Sequence, residues 1–149
     1  MTPPSPAAGR VLERDDDIGA LLARTRRVAV LGIKTAETMQ PAYYVPEYAQ
    51  RAGYEIVPVP VYYPEVKEIL GAPVYRKLVE VPGPIDMVDV FRRPKDLAMH
   101  LDDILAKRPK SVWLQLGIRD DAFAAKLADA GIEVVQDRCL LVELRRIGR

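Results

Sequence analysis

Three cations hold positions from which a phosphate-bearing ligand can be gripped. Lys34 stands two residues after Gly32, and Arg92 and Arg93 directly follow an apolar run that ends at Phe91. An arginine offers a planar fork to a phosphate, and a lysine offers a compact point charge. Gly32, with no Cβ, lets the backbone come close to a ligand. The glycine spacing argues against two familiar chemistries. The next glycine after Gly32 is Gly53, so neither a G-x-G-x-x-G fingerprint nor a G-x-x-x-x-G-K-[ST] loop is present. A standard dinucleotide dehydrogenase and a P-loop NTPase therefore do not fit.

Groups suited to acid–base or metal chemistry are sparse. There is one cysteine, Cys139, and one histidine, His100, so a His/Cys metal cluster and an internal disulfide are both excluded. His100 is expected to lie on a helix away from the ligand edge, as a half-buried or surface residue. Asp86 and Asp89 are three apart on one expected strand, point to opposite faces, and form no paired acid–base site. Asp120 and Asp121 read as helix caps. Cys139 follows a strand end and is expected to be a buried, inert thiol, and Trp113 reads as core. Tyr43, Tyr44, Tyr48, Tyr62 and Tyr63 offer either core and loop packing or an exposed aromatic patch.

The elements that would position these groups alternate along the chain. Short apolar runs suited to strands covered on both faces fall at 28–31, 54–59, 86–91, 111–116 and 132–136. Helical patterns lie between them. One opens at Asp15, Asp16 and Asp17 with Ile18, Leu21 and Leu22 on one face. Another covers 42–52, with Pro46 tolerated only near its first turn and Gly53 as its stop. A third runs from Pro94 to about Lys107 with Leu97, Leu101, Ile104 and Leu105 inward. A fourth starts at Asp120 or Asp121, with Phe123, Leu127 and Ala130 inward, and a short one covers 140–146. Residues 64–70 and 74–79 are expected to hold short helical turns. The alternation predicts an α/β fold with a five-stranded parallel sheet and right-handed crossovers. In such a sheet the ligand sits outside the carboxyl ends of the strands, near the topological switch point.

Composition narrows the class of protein. The chain has 149 residues, 49% hydrophobic and 29% charged, with 22 Lys+Arg against 21 Asp+Glu. That size suits one domain, and a net charge of +1 gives no push toward nucleic acid or membrane. No apolar stretch approaches the length of a membrane span, and the proline-rich start lacks the apolar core of a secretory signal. Residues 1–10 are expected to be a disordered tail and 11–149 the folded domain, in the cytoplasm.

Several segments carry a family resemblance. VAVLG at 28–32, GYEIVPV at 53–59, EILG at 68–71 and VY at 74–75 resemble the small CoA-binding-domain proteins. These are single-domain Rossmann-like relatives of the nucleotide-binding part of the succinyl-CoA synthetase alpha subunit. The resemblance continues through IDMVDVFRR at 85–93, VWLQLGIR at 112–119 and DRC at 137–139, keeping order and spacing over about residues 20–143. It implies a single Rossmann-like, doubly wound α/β domain with helices on both faces. It also implies coenzyme A or an acyl-CoA as ligand, with no catalytic residues of its own. Carried across by position, it implies Gly32, Ile33, Lys34 and Thr35 near the diphosphate, and Val59 and Pro60 beside the adenosine. Val90, Phe91 and Arg92 would flank the adenine and phosphate region, and Gln115 and Gly117 would edge the pantetheine path. In the first loop Lys34 stands where relatives often carry a small residue. After the second strand no cation occurs until Lys67. Two other readings stay open: a regulatory domain with a degenerate nucleotide site that binds a protein partner or a second copy of itself, and an enzyme acting on a CoA derivative.

Overall fold

The computed structural model describes residues 9–149. Five strands form one parallel sheet: β1 (Arg27–Leu31), β2 (Glu55–Val59), β5 (Met87–Val90), β6 (Ser111–Leu114) and β7 (Glu133–Val135). A two-residue pair, β3 (Glu68–Ile69) and β4 (Ala72–Pro73), stands apart from it. The helices are α1 (Asp15–Arg24), α2 (Pro41–Arg51), α3 (Leu101–Lys107), α4 (Asp121–Asp129) and α5 (Leu140–Arg146). The sheet order is β2-β1-β5-β6-β7.

Each strand is buried on both sides, because side chains alternate across a sheet that helices cover on both faces. Ala29, Leu31, Val88, Val90, Val112 and Leu114 face one way and pack with Ile104 of α3 and Phe123 and Leu127 of α4. Val28, Val30, Met87 and Trp113 face the other way and pack with Leu21 and Leu22 of α1, Val45 of α2 and Leu144 of α5. This is the expected Rossmann-like α/β architecture.

Several local expectations change. The aspartates of α1 do not cap it. Arg14 is the N-cap residue and makes no side-chain cap bond, while Asp15, Asp16 and Asp17 occupy the first turn, where their charge favours the helix dipole. Asp120 does cap α4, accepting the Phe123 amide at 3.0 Å. Residues 64–79 are less helical than expected. Leu70 (φ 54°) and Gly71 (φ 76°) make a two-residue turn with both φ values positive, which matches the twist of a hairpin and so closes β3 on β4. Only Leu78–Glu80 forms a 3₁₀ turn there, with the Leu78 and Val79 amides donating to the Asp103 carboxylate at 2.7 and 3.1 Å. The segment before α3 folds as two 3₁₀ turns, Pro94–Asp96 and Ala98–His100, instead of one long helix.

Of the expected tail, residues 1–8 lie outside the described residues. Gly9 and Arg10 pair with the body. The Gly9 amide donates to the Ala128 carbonyl at 3.0 Å, and the Arg10 carbonyl accepts the Val134 amide at 2.8 Å. A Cβ at Gly9 would stand 2.1 Å from the Ile132 carbonyl oxygen, so only glycine lets the chain pass there.

Candidate functional site

The order of the sheet reverses between β1 and β5, since the chain first adds β2 on one side of β1 and then continues on the other. A crevice outside the carboxyl ends of these two strands is where open α/β sheets place ligands. Gly32 leaves β1 here with φ +86°, and its amide donates to the Val59 carbonyl at 2.9 Å. A Cβ at this position would stand 2.4 Å from the Phe91 carbonyl oxygen and 3.2 Å from Cδ of Arg92. Gly32 is therefore required twice, by its backbone conformation and by the closeness of the β5 exit.

The loop after Gly32 is held by a proline in α2. Pro46 is the sixth residue of α2, well past its first turn, and has no N–H to donate to the Ala42 carbonyl four residues back. That carbonyl instead accepts the Lys34 amide at 3.1 Å. A residue that would weaken an isolated helix thus ties the first loop to it. The Lys34 ammonium donates to Gln40 Oε1 at 2.5 Å, and the Thr35 hydroxyl donates to Glu37 Oε1 at 2.5 Å. That hydroxyl bond is the main cause holding the Glu37 carboxyl below its usual range. The loop therefore carries both a cation, Lys34, and an exposed anion, Glu37.

Across the crevice, the Phe91 amide donates to the Leu31 carbonyl at 2.9 Å, and Arg92 turns back over the sheet edge. Only 9% of the Arg92 side chain is exposed. Its Nε donates to His100 Nε2 at 3.1 Å, its Nη2 lies 3.9 Å from Asp96 Oδ2, and its guanidinium carbon is 5.8 Å from the Tyr62 ring centroid. His100 was expected away from this edge. The two 3₁₀ turns bring it back to Arg92, so it belongs to the site. Arg93 is 66% exposed and pairs with Asp96 at 3.0 Å. Tyr62 and Tyr63 pack edge to face beyond β2, on a loop whose carbonyls at 62, 63 and 66 accept the Arg76 guanidinium at 3.0, 2.8 and 2.8 Å. The five tyrosines do not share one place: Tyr43 and Tyr48 pack partly buried against the core on the α2 side.

Other expected residues lie deeper. Ile33, Val59 and Val90 have side chains buried in the two cores, and Pro60 is buried beside Val59. Gln115 is 4% exposed and both ends of its amide are engaged. Its Nε2 donates to Asp89 Oδ1, and its Oε1 accepts the Leu140 amide at 3.2 Å. Asp89 is fully buried and its Oδ2 has no hydrogen-bond partner among the described residues; burial pushes its pKa up to about 7 against the opposing pull of the Gln115 amide.

Farther along the same edge, past β6 and β7, lies a cleft of about 680 Å³. Gly117 neighbours its rim with φ +84° and donates its amide to Asp137 Oδ1 at 2.6 Å. Leu116 and Val142, 69% and 55% exposed, give it an apolar lining, and Cys139 opens partly into it, not fully buried as expected. Its two arginines are paired, while the Glu13 and Asp137 carboxylates have no ion-pair partner among the described residues. Arg138 pairs with Asp15 at 3.0 Å and Glu143 at 3.4 Å, and Arg119 pairs with Asp121 at 3.2 Å. Spacing in the sequence could not mark this cleft, because its walls come from both ends of the chain. Among the described residues no cluster of three or more metal-ligating side chains occurs, and no helix is long and apolar enough to cross a membrane.

Comparison with known proteins bears on the family and the fold. The model of a family described as CoA binding domain matches residues 26–145. The uncharacterized protein YneT of Bacillus subtilis (strain 168) is 33% identical over 126 residues, covering 85% of this chain and 90% of that one. A Thermus thermophilus structure, cell-free ID.343, superposes with a TM-score of 0.82 at 41% identity, covering 91% of this chain and 99% of its own. A hypothetical protein from Pyrococcus horikoshii OT3 also gives a TM-score of 0.82, at 28% identity, covering 99% and 97%.

Proposed function

The chain belongs to the CoA-binding-domain family, and from that premise we propose that it binds coenzyme A or an acyl-CoA, in the cytoplasm, as a binding or regulatory protein without catalysis of its own. The observation that carries the reading is the Gly32 turn at the β1/β5 switch point, flanked by Lys34 on one side and Arg92 on the other. Backbone brought close by Gly32, with Ile33 and Thr35 in the same loop, receives the diphosphate. Lys34 and Arg92 supply the charge, as an ammonium that can leave Gln40 and a guanidinium whose Nη1 makes no hydrogen bond among the described residues. The exits of β2 and β5, at Val59, Pro60, Val90 and Phe91, border the adenosine.

The cleft beyond β6 and β7 suits the rest of the ligand. Neighbouring strands lie about 4.8 Å apart, so the cleft is roughly 10–15 Å from the switch point. A pantetheine arm covers that span, passing Gly117. The arm is uncharged and carries amides and a thiol, which matches a lining of exposed apolar side chains and already paired arginines. Gln115 supports the route from beneath, by bracing β6 against the start of α5. A single unpaired thiol accords with a reducing compartment.

Isothermal titration with CoA, and with ADP and NAD for comparison, tests the reading. The expected result is micromolar binding of CoA, tighter than either comparator. Absence of CoA binding would overturn it.

A further inference from the structure

Arg92 carries a contact that neither the fold nor phosphate binding by itself requires. Its Nε–H donates to His100 Nε2 at 3.1 Å, so that ring nitrogen is the unprotonated one and the ring proton sits on Nδ1. The guanidinium is then pinned on three sides, by His100, by Tyr62 at 5.8 Å and by Asp96 at 3.9 Å, with Met99 Sδ 3.6 Å from Nη2. Nη1 is left over, on a side chain whose Cδ lies against the Gly32 turn, 3.2 Å from where a Cβ would stand.

We propose that His100 is the positioning residue for Arg92: its neutral ring holds the guanidinium at the switch-point crevice, and protonation of the ring releases it, so a phosphate-bearing ligand is held less tightly in acid. The proposal rests on the reading of the crevice as a phosphate site. Protonation removes the acceptor for Arg92 Nε–H and places a second cation against the guanidinium. The charged groups facing the ring are Arg92 at the exit of β5, Asp96 in the first 3₁₀ turn and Asp103 on α3. Burial and then Arg92 hold the His100 pKa below its usual 6.5, and the two carboxylates offset this only in part. The ring is therefore neutral at pH 7. A phosphate engaged through Nη1 would draw a proton toward the ring. It would do so from the far side of the guanidinium, so the like-charge contact at 3.1 Å dominates.

The test uses the full chain, with CoA as probe, from pH 8 to pH 5. His100→Leu removes the acceptor, and His100→Gln keeps an acceptor that does not titrate. At pH 8, His100→Leu is expected to bind CoA about tenfold more weakly, from loss of the hydrogen bond that orients a charged group, with His100→Gln restoring most of the affinity. Between pH 7 and pH 5, wild type is expected to lose affinity progressively relative to His100→Gln, a ratio from which titration of the ligand's own phosphates cancels. Equal affinities of His100→Leu and wild type, or identical pH profiles of wild type and His100→Gln, would overturn the proposal. The one histidine of the chain gives a second readout that needs no ligand. Its NMR titration should move to higher pH in Arg92→Ala, and an unmoved titration would overturn the coupling. If the titration moves but wild type fails to bind CoA at pH 8, the coupling stands and the ligand reading falls.

Discussion

The carboxyl edge of the sheet holds two regions built on opposite terms. At the switch point the backbone is crowded, cations line the crevice, and a glycine is required because another strand's carbonyl lies against it. Past β6 and β7 the edge is open and partly apolar, and its arginines are already paired. Gly32 and Gly117 show the difference at one residue type. Both have φ near +85°, but a Cβ at Gly32 meets the Phe91 carbonyl at 2.4 Å, whereas at Gly117 it meets nothing within 4 Å. A tight, cation-lined crevice suits the diphosphate end of a ligand, and a roomier, partly apolar cleft whose arginines are already paired suits an uncharged arm.

The largest effect is expected where the two regions join. Asp89 at the end of β5 is linked through Gln115 to the first residue of α5. Its folded pKa of about 7 lies above the ordinary 3.8. Between these values the unfolded chain has lost the proton that the folded chain retains. The stability that Asp89 contributes therefore falls as pH rises from about 4 to 7, by at most about 1.4 kcal/mol per pH unit, and then levels off. Asp89→Asn should flatten that slope and make the protein more stable at pH 8 by about 2–4 kcal/mol. Denaturant midpoints across pH read both, and an advantage of Asp89→Asn over wild type that does not grow from pH 4 to pH 7 would contradict the assignment.

Next come the two glycines. Gly32→Ala should cost about 2–4 kcal/mol, combining backbone strain with overlap on Phe91. Gly117→Ala should cost only about 1–2 kcal/mol, the left-handed conformation alone. Equal costs in urea unfolding would erase the contrast between a crowded and an open edge.

Two smaller effects sharpen the electrostatic half of the comparison. Lys34→Ala should weaken CoA binding by about 1.5 kcal/mol or more, as expected for a charge-assisted phosphate contact. Arg119→Ala, removing a cleft cation already paired with Asp121, should leave binding of ADP unchanged in the same titration. Least of all, Glu37→Gln should tighten CoA about two- to threefold, by removing an exposed negative charge beside the diphosphate loop. Weaker binding by Glu37→Gln would mean that the Thr35–Glu37 hydrogen bond is needed to shape the loop.

Much of the architecture was legible along the chain, because its signals are local. Apolar runs of four to six residues mark strands covered on both faces, and glycines at 32, 53, 117 and 131 mark where elements end. Spacing alone placed Lys34, Arg92 and Arg93 at one edge. The misread elements were those in which local preference competes with a partner distant in sequence. Residues 94–100 have the apolar pattern of a helix but take two 3₁₀ turns. Residues 68–73 close as a hairpin on a turn with Leu70 in a conformation that leucine rarely adopts.

Order of elements, strand ends and the sign of charge at each loop follow from residue types over short windows, since periodicity and backbone preference act within a few bonds. Tertiary structure alone decided which groups would touch. It joined His100 to Arg92 across two turns, gave the carbonyl freed by Pro46 to the Lys34 amide, and left one oxygen of Asp89 without a partner. It also built the cleft from Leu12, Leu116 and Cys139. Each of these depends on closing a loop and excluding water from a polar group, and those costs are settled only when the whole sheet packs.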